Sequence, residues 1–433
     1  MMRQIYSMFM RLAQPFVRAR LLRRGALEPG YLKAIDERFG RYTSPAPAPG
    51  CIWIHAVSLG ETRAAAILIT ALRARLPGMR LLLTHGTATG REEGARLLLA
   101  GDLHAWQPWD TPEAVARFLA HFRPRVGILI ETEVWPNLVA LCKEMSVPLV
   151  LANARMSSKS LSTSLKLGWL SRPAYTSLAG VWAQTQADAN RLAQLGAPLQ
   201  GVFGNIKFDA APDAALLAQG RVWRKPLRLP VVVLAVSREG EEASLIEILR
   251  SHHTNTANNM ASHVQWMIVP RHPQRFDEVA RLIEAGGFRL SRRSQWVDGP
   301  QQEAVGASPS IWLGDSMGEM PLYYGLADAA LLGGSFEKLG GQNLIEAAAC
   351  GCPVIMGPHT FNFAEAASLA NAAGAAQRAP TLARAVVAAC ETVLDAQALG
   401  ASRQNALAFA QAHRGSAALL AAAIGDLIVE SQA

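Results

Sequence analysis

The chain has 433 residues and a formal net charge of +8; half of its residues are hydrophobic and 18% are charged. That balance excludes a largely disordered chain, and the length exceeds what one ordinary core serves, so two domains are expected. Five scattered cysteines, only Cys350 and Cys352 close together in a CxC spacing, argue against a disulfide framework and for a reducing compartment; without CxxC or HExxH nothing in the sequence supports a structural metal.

Most of the excess charge lies at the start. Residues 1–24 hold six arginines (Arg3, Arg11, Arg18, Arg20, Arg23, Arg24) and no acid. Nucleic-acid binding would spread basic residues over a folded face among aromatics, so this pattern points elsewhere. Ile5, Met8, Phe9, Leu12 and Phe16 recur at helical spacing, which predicts an amphipathic helix lying in a membrane interface with its arginines on anionic head groups. Arg3 and Arg11 interrupt it, so it is no spanning helix, and it lacks the clean apolar core of a signal peptide. A terminal helix packed on its own domain is the alternative, against which the clustered arginines weigh. Pro45, Pro47 and Pro49 mark a linker into the globular body.

From Cys51 onward, short apolar runs alternate with amphipathic stretches: residues 51–57, 80–84, 126–132, 148–153 and 180–185, with helices over Glu61 to Leu76 and Trp135 to Met145. The pattern restarts at 231–236, 266–270, 311–314, 328–334 and 353–357. Continuous apolar strands separated by helices predict parallel sheets covered on both faces. The polar stretch 207–230, with Pro212, Pro226 and Pro230, reads as the domain linker, and 253–263 and 291–309 as surface loops. The expected architecture is α/β: two doubly wound units in tandem facing across a cleft, with ligands at the carboxyl ends of the strands.

The loops after those strands carry the polar chemistry. Glu61 stands at a helix start after 51–57, where it fits either a general base or an acid favoured by the helix dipole. His85-Gly86-Thr87-Ala88-Thr89-Gly90 suits anion binding and ordinary capping equally. In Glu131-Thr132-Glu133-Val134-Trp135-Pro136-Asn137, one carboxylate is expected to orient a polar substrate and the other to cap the helix that Pro136 begins. Arg155 places a cation near the same edge. In the second half, Arg271 is a cation for a phosphate or carboxylate, Gly340 and Gly341 are expected to leave backbone N–H groups open at a helix start, and Glu346 is placed to accept from ribose hydroxyls. His104, His121 and His413 read as surface or packing residues; His359 follows a strand and is the one histidine of that set with a site reading. Together these loops favour a nucleotide-linked ligand.

At these residues the sequence resembles the Kdo (3-deoxy-D-manno-octulosonic acid) transferase family, glycosyltransferase family 30. The likeness covers nearly the whole chain and rests on ordered motifs: His55 to Glu61, Glu131 to Asn137, Ala152 to Arg155, Gly204 to Asp209, Val269 to Pro273, Gly314 to Glu319, Gly340 to Ala347 and Met356 to Phe363. The resemblance implies a GT-B fold of two Rossmann-like domains, with a membrane-associating helix at 1–30, an acceptor-binding domain at 31–210 and a CMP-Kdo-binding domain at 211–433 whose last helix crosses back to the first domain. It implies an inverting transfer of Kdo from CMP-Kdo to a lipid A precursor (lipid IVA) for lipopolysaccharide, at the cytoplasmic face of the inner membrane and with no metal cofactor. Glu61 matches the family's catalytic base and Glu131 the acid assisting at the acceptor. Arg271, His272, Met317, Gly318, Glu319, Asn343, Leu344, Ile345 and Glu346 match its donor-binding stretches. Arg238 departs from the pattern, standing where some members carry histidine. The runner-up function is another GT-B enzyme, such as a nucleotide-sugar epimerase; a non-catalytic membrane-surface scaffold is the alternative outside enzymes.

Overall fold

The computed structural model describes residues 2–254, 260–300 and 309–430. The chain divides into two compact units, residues 1–209 with 414–433, and 210–413.

In the first unit, helix α1 (Met2–Leu27) precedes a parallel sheet of β1 (Ile52–His55), β2 (Leu81–His85), β3 (Leu103–Trp106), β4 (Val126–Ile130), β5 (Leu149–Ala154), β6 (Gly180–Ala183) and β7 (Leu199–Val202). Between the strands run α2 (Leu59–Arg75), α3 (Ala88–Ala95), α4 (Pro112–Phe122), α5 (Pro136–Glu144), α6 (Ser158–Lys166), α7 (Gly168–Thr176) and α8 (Gln186–Ala193). The strand order β3-β2-β1-β4-β5-β6-β7 reverses direction between β1 and β4. Alternation along β1 divides the core. Ile52 and Ile54 pack with Ala65, Leu68 and Leu72 of α2, while Cys51 and Trp53 pack with Phe118 and Phe122 of α4 and Leu138 of α5. Burying both faces is what makes these strands continuous apolar runs.

The second unit opens with α9 (Ala214–Arg224), followed by β8 (Val231–Ser237), α10 (Glu241–Thr254), β9 (Gln265–Pro270), α11 (Phe276–Ala285), β10 (Arg289–Arg292), β11 (Ser310–Leu313), α12 (Met320–Leu326) and β12 (Ala329–Leu332). It continues through α13 (Leu344–Ala349), β13 (Val354–Met356), α14 (Ala364–Ala372), β14 (Ala376–Arg378), α15 (Leu382–Leu394) and α16 (Ala396–Ala412). Its parallel order β10-β11-β9-β8-β12-β13-β14 reverses between β8 and β12. A last helix, α17 (Ser416–Glu430), belongs to the first unit, where Leu420, Ala421 and Ile424 join the core against α2. The stretch 396–429 is apolar enough by composition to cross a membrane, but α16 and α17 are separate helices and the apolar face of α17 is spent on this core.

The stretch expected as a linker, 207–230, is a correction. Pro212 ends the preceding segment and Asp213 caps α9, its Oδ1 accepting from the N–H groups of Ala215 (2.9 Å) and Leu216 (3.0 Å). Glycines then let α9 lie against α12: a Cβ on Gly325 would stand 2.6 Å from the Leu217 carbonyl oxygen, and one on Gly220 would overlap the Leu322 carbonyl. The prolines bracket this helix rather than dissolve it. Of the two expected surface loops, residues 255–259 and 301–308 lie outside the described residues. Within the rest, Met260–His263 is a 3-10 turn and Arg289–Arg292 an edge strand.

Helix α1 also differs from expectation. Three of its six arginines are engaged by the protein body. Arg3 pairs with Glu144 (2.7 Å), Arg11 with Glu113 (2.5 Å) and Arg18 with Asp36 (3.2 Å). Tyr6 donates to Asp110 (2.9 Å) and Ser7 to Asn137 (2.9 Å). The carboxylates and amides of the body capture the polar side, which leaves the apolar side uncovered. Ile5, Met8, Phe9, Leu12 and Phe16 are exposed, Phe16 at 78%.

Candidate functional site

In each doubly wound sheet, the loops that separate at the point of strand-order reversal leave room for a ligand. In the first unit those loops follow β1 and β4, and they carry Glu61 and Glu131.

Ser58 caps α2, and Glu61 sits three residues later in a capping-box position. The Glu61 carboxylate accepts from the Val57 N–H (2.9 Å) and from the Ser58 hydroxyl (3.0 Å). Burial pushes its pKa up to about 7, against the lowering effect of those two donors and with the negative charges of Glu131 and Glu133 adding to the rise. A carboxylate half ionised near neutrality, fixed by two donors and keeping lone pairs on both oxygens, is competent to take a proton.

Glu131 ends β4 with φ 66°, a left-handed conformation that a side chain strains to hold. Its carboxylate is buried and receives the Lys207 ammonium at 2.7 Å. A chain of amides sets that lysine in place: Gln184 Nε2 donates to the Asn153 carbonyl (2.9 Å), Asn205 Nδ2 to Gln184 Oε1 (3.1 Å), and the Lys207 N–H to Asn205 Oδ1 (3.0 Å). Sequence reasoning gave Lys207 no role of its own. The signal was present, as a lysine just after the last strand of the sheet with an amide two residues before it.

One expectation about this edge is corrected, and one of two open alternatives is observed. Neither Glu131 nor Glu133 caps the helix that Pro136 begins. Asp110 does so, accepting from the N–H groups of Asn137 (3.1 Å) and Leu138 (2.8 Å), whereas Glu133 accepts from the Trp135 indole at 2.9 Å. The 85–90 loop is capping chemistry. Thr87 caps α3, and its N–H and hydroxyl both donate to the Val57 carbonyl at 3.0 Å. That loop therefore buttresses the segment bearing Glu61.

In the second unit the reversal loops follow β8 and β12. Val236 has φ 57°, strained for a β-branched residue, and turns the chain into Arg238. The buried carboxylate of Glu241 staples the two loops together. It accepts from the N–H groups of Arg238 (3.0 Å), Gly334 (2.7 Å) and Phe336 (3.3 Å). Arg271, at the end of β9, donates to Gln342 Oε1 at 2.5 Å, and its N–H donates to the Ser237 carbonyl. Burial and the nearby charges of Arg238 and Arg271 hold the His272 pKa down. Arg238 and Arg271 thus act electrostatically on His272 beside the reversal point, a concentration of positive charge suited to an anion.

The remaining predicted donor residues divide. Glu319 receives Arg293 at 2.8 Å and the Ser316 hydroxyl, while Met317 is exposed and Gly318 has φ 81°. The loop carrying them follows β11, which pairs with β9, so it adjoins the Arg271 loop along the sheet edge. Asn343 caps α13 by accepting from the Ile345 N–H (3.1 Å). Leu344 and Ile345 are core side chains, and Glu346 is half-buried in the first helical turn. Of the open N–H groups expected at Gly340 and Gly341, that of Gly341 is a correction: it donates to the Gly334 carbonyl (2.8 Å), and the helix begins only at Leu344. His359 donates its backbone N–H to Ser335 (3.0 Å). Arg293, within a stretch expected to be featureless, is the partner sequence reasoning missed.

A family model for 3-deoxy-D-manno-octulosonic-acid transferases (kdotransferase) matches residues 33–210. A 3-deoxy-D-manno-octulosonic acid transferase of Bordetella pertussis is 45% identical over 425 residues, 96% of each chain. The enzyme of that name from Haemophilus influenzae is 33% identical over 372 residues, 84% of each chain. Among solved structures, a glycosyltransferase from Rickettsia africae superposes with a TM-score of 0.54 at 11% identity, covering 88% of this chain and 99% of its own. A UDP-GlcNAc 2-epimerase from Neisseria meningitidis gives a TM-score of 0.52 at 13% identity over 88% and 99%. At such identities these two bear on the fold alone, which is GT-B.

Proposed function

Because the chain belongs to the Kdo transferase family of glycosyltransferases, we propose that it transfers Kdo from CMP-Kdo to a hydroxyl of a lipid A precursor, lipid IVA, with inversion at the anomeric carbon. The observation that carries this reading is the Glu61 carboxylate, pinned at the reversal point of the first sheet with its pKa raised to about 7. Glu61 removes the proton from the acceptor hydroxyl, and the oxygen attacks the anomeric carbon as the CMP phosphate departs from the opposite face. A single displacement inverts the centre and needs no covalent enzyme intermediate. Glu131, held by Lys207, orients the acceptor hydroxyl. Charge on the leaving phosphate is balanced by Arg271 with Arg238, while His272, its pKa held down, serves as a neutral hydrogen-bonding group; the Gly341 N–H is already bonded to Gly334. Lining up preorganised cations where charge develops is the main source of rate enhancement in such a step. Glu319, Asn343 and Glu346 complete the donor site.

The uncovered apolar side of α1 supports seating on the cytoplasmic face of the inner membrane. Arg20 and Arg23, exposed and without an ion pair among the described residues, are left to meet the anionic head groups, whereas Arg3, Arg11 and Arg18 hold the helix to the body.

The test is a transfer assay with CMP-Kdo and tetra-acylated lipid A precursor, read by mass spectrometry, with Glu61→Gln alongside. Kdo adducts from the native chain and not the variant support the reading. Donor binding without any adduct overturns the acceptor assignment, and hydrolysis or epimerisation of the donor with no acceptor overturns the reaction type.

A further inference from the structure

Residues 145–187 contain no aspartate or glutamate, yet carry Arg155, Lys159, Lys166 and Arg172. Among the described residues none of these four forms an ion pair, and Arg155 is exposed. Other cations of the first unit are matched, among them Arg73 with Asp102 and Arg91 with Glu37, and others, such as Arg117, Arg123 and Arg125, form no ion pair among the described residues. What sets the α6–α7 hairpin and the loop leading into it apart is that its cations have no acid within the same stretch of chain.

Beneath that hairpin lies a cavity of about 270 Å³ whose wall includes Arg155, Thr132, Ser160, Thr163, Ser164 and Ser171. Its floor is apolar, with Met156 and Tyr175. Helix α6 buries none of its residues; Ser160 shares a hydrogen bond with Ser157 (2.8 Å), Thr163 donates to the Lys159 carbonyl (3.1 Å) and Ser171 to the Ser164 carbonyl (2.6 Å), while the Ser164 hydroxyl, among the described residues, forms no side-chain hydrogen bond. Thr132 joins the cavity directly to the loop bearing Glu131 and Glu133. On the outer side, Leu167 and Trp169 are exposed at 45% and 43%, and α7 touches α1, whose apolar face is also open.

We propose that this cavity binds a phosphate group carried on the acceptor lipid, with Arg155 as the cation and the Ser164 hydroxyl as a neutral donor. A guanidinium matches phosphate bidentately, and a hydroxyl adds a hydrogen bond without cancelling the charge. Lys159, Lys166 and Arg172 raise the local anion concentration around the mouth. The apolar floor and the exposed Leu167 and Trp169 suit the acyl-bearing part of the same molecule. The subsite rests on the acceptor assignment made above and deepens it: the headgroup phosphate fixes which sugar hydroxyl reaches the Glu61–Glu131 edge.

The experiment pairs Arg155→Gln and the cavity-filling Ser164→Leu with two acceptors, lipid IVA and its phosphatase-treated form. In transfer assays each variant raises the KM for the phosphorylated acceptor roughly tenfold, the loss expected for one charge-assisted contact. The KM for CMP-Kdo and the kinetics on the dephosphorylated acceptor stay where they are in the native chain. An equal effect on both acceptors, or none on either, overturns the subsite. Co-sedimentation with phosphatidylcholine vesicles containing lipid IVA, its dephosphorylated form or phosphatidylglycerol separates the other possibilities. Phosphate-dependent binding lost in both variants, in a chain that transfers no Kdo, keeps the subsite and overturns the enzymatic reading. Equal dependence on phosphatidylglycerol and lipid IVA means bulk headgroup attraction and overturns the subsite.

Discussion

Glu61→Gln separates what the carboxylate does for catalysis from what it costs the fold. Burial raises the Glu61 pKa from 4.5 to about 7, so the native state favours the protonated form. The stability tied to this group is complete below about pH 4.5 and is lost as pH rises through about 7. At about 1.4 kcal/mol for each tenfold change in proton affinity, the loss amounts to at most about 3 kcal/mol. In the proposed mechanism the same ionisation creates the base: roughly a tenth of the population is ionised at about pH 6 and nine-tenths at about pH 8, so kcat/KM should climb about tenfold between them. Glutamine preserves the local bonding, its oxygen accepting from Val57 and its amide donating to Ser58, and it does not titrate. The variant should therefore be slower by about 100-fold or more and lack this acid limb. Its stability relative to the native chain should rise by about 2 kcal/mol from about pH 5.5 to about pH 8.5. Paired pH–rate profiles and calorimetric melts measure both effects. An acid limb near 4.5, an acid limb surviving in the variant, or a stability gap independent of pH would refute the argument.

Glu241→Ala strips the acceptor from three backbone N–H groups and should destabilise the second unit by about 2–4 kcal/mol; CMP titration calorimetry should show weakened donor binding, with the acceptor KM unmoved. Gly220→Ala forces a methyl into the Leu322 carbonyl and should lower stability by about 2 kcal/mol or more, seen as an earlier calorimetric transition. Replacing Phe9 and Phe16 by serine removes exposed side chains worth about 1.5–3 kcal/mol each on insertion into lipid. Vesicle binding should fall at least tenfold while the melting temperature holds; an unchanged vesicle affinity would mean that another surface does the seating.

The central strands were legible from the sequence because a strand buried on both faces must be an apolar run, as in residues 126–130 and 231–236. The strands that escaped, Leu103–Trp106, Leu199–Val202, Arg289–Arg292 and Ala376–Arg378, are the four edges of the two sheets. Each has a neighbour on one side only, and Leu199–Val202 is partly exposed throughout, so no hydrophobic run marks it. Composition misled at α9, since a helix bracketed by prolines and packed through glycines looks like a linker when only local sequence is weighed. At the site, Glu61 and Arg271 were visible because strand ends and residue type suffice to find them. What local sequence does not contain is who bonds whom at long range. Asp110 capping a helix 26 residues away, Lys207 reaching Glu131, and Gly334 taking the Gly341 N–H all depend on which loops the sheet order brings together.

Helix α17 imposes a timetable on biosynthesis. The first unit holds the chain's opening 209 residues, but its core against α2 is closed by Leu420, Ala421 and Ile424. At 5–20 residues per second, the ribosome spends roughly 10–40 s making the intervening segment. Throughout that interval the apolar flank of α2 waits without its cover, a surface on which a chaperone has time to act. The half of the enzyme begun first is thus the half finished last, and a nascent chain cut off anywhere within the second unit leaves both halves unfinished.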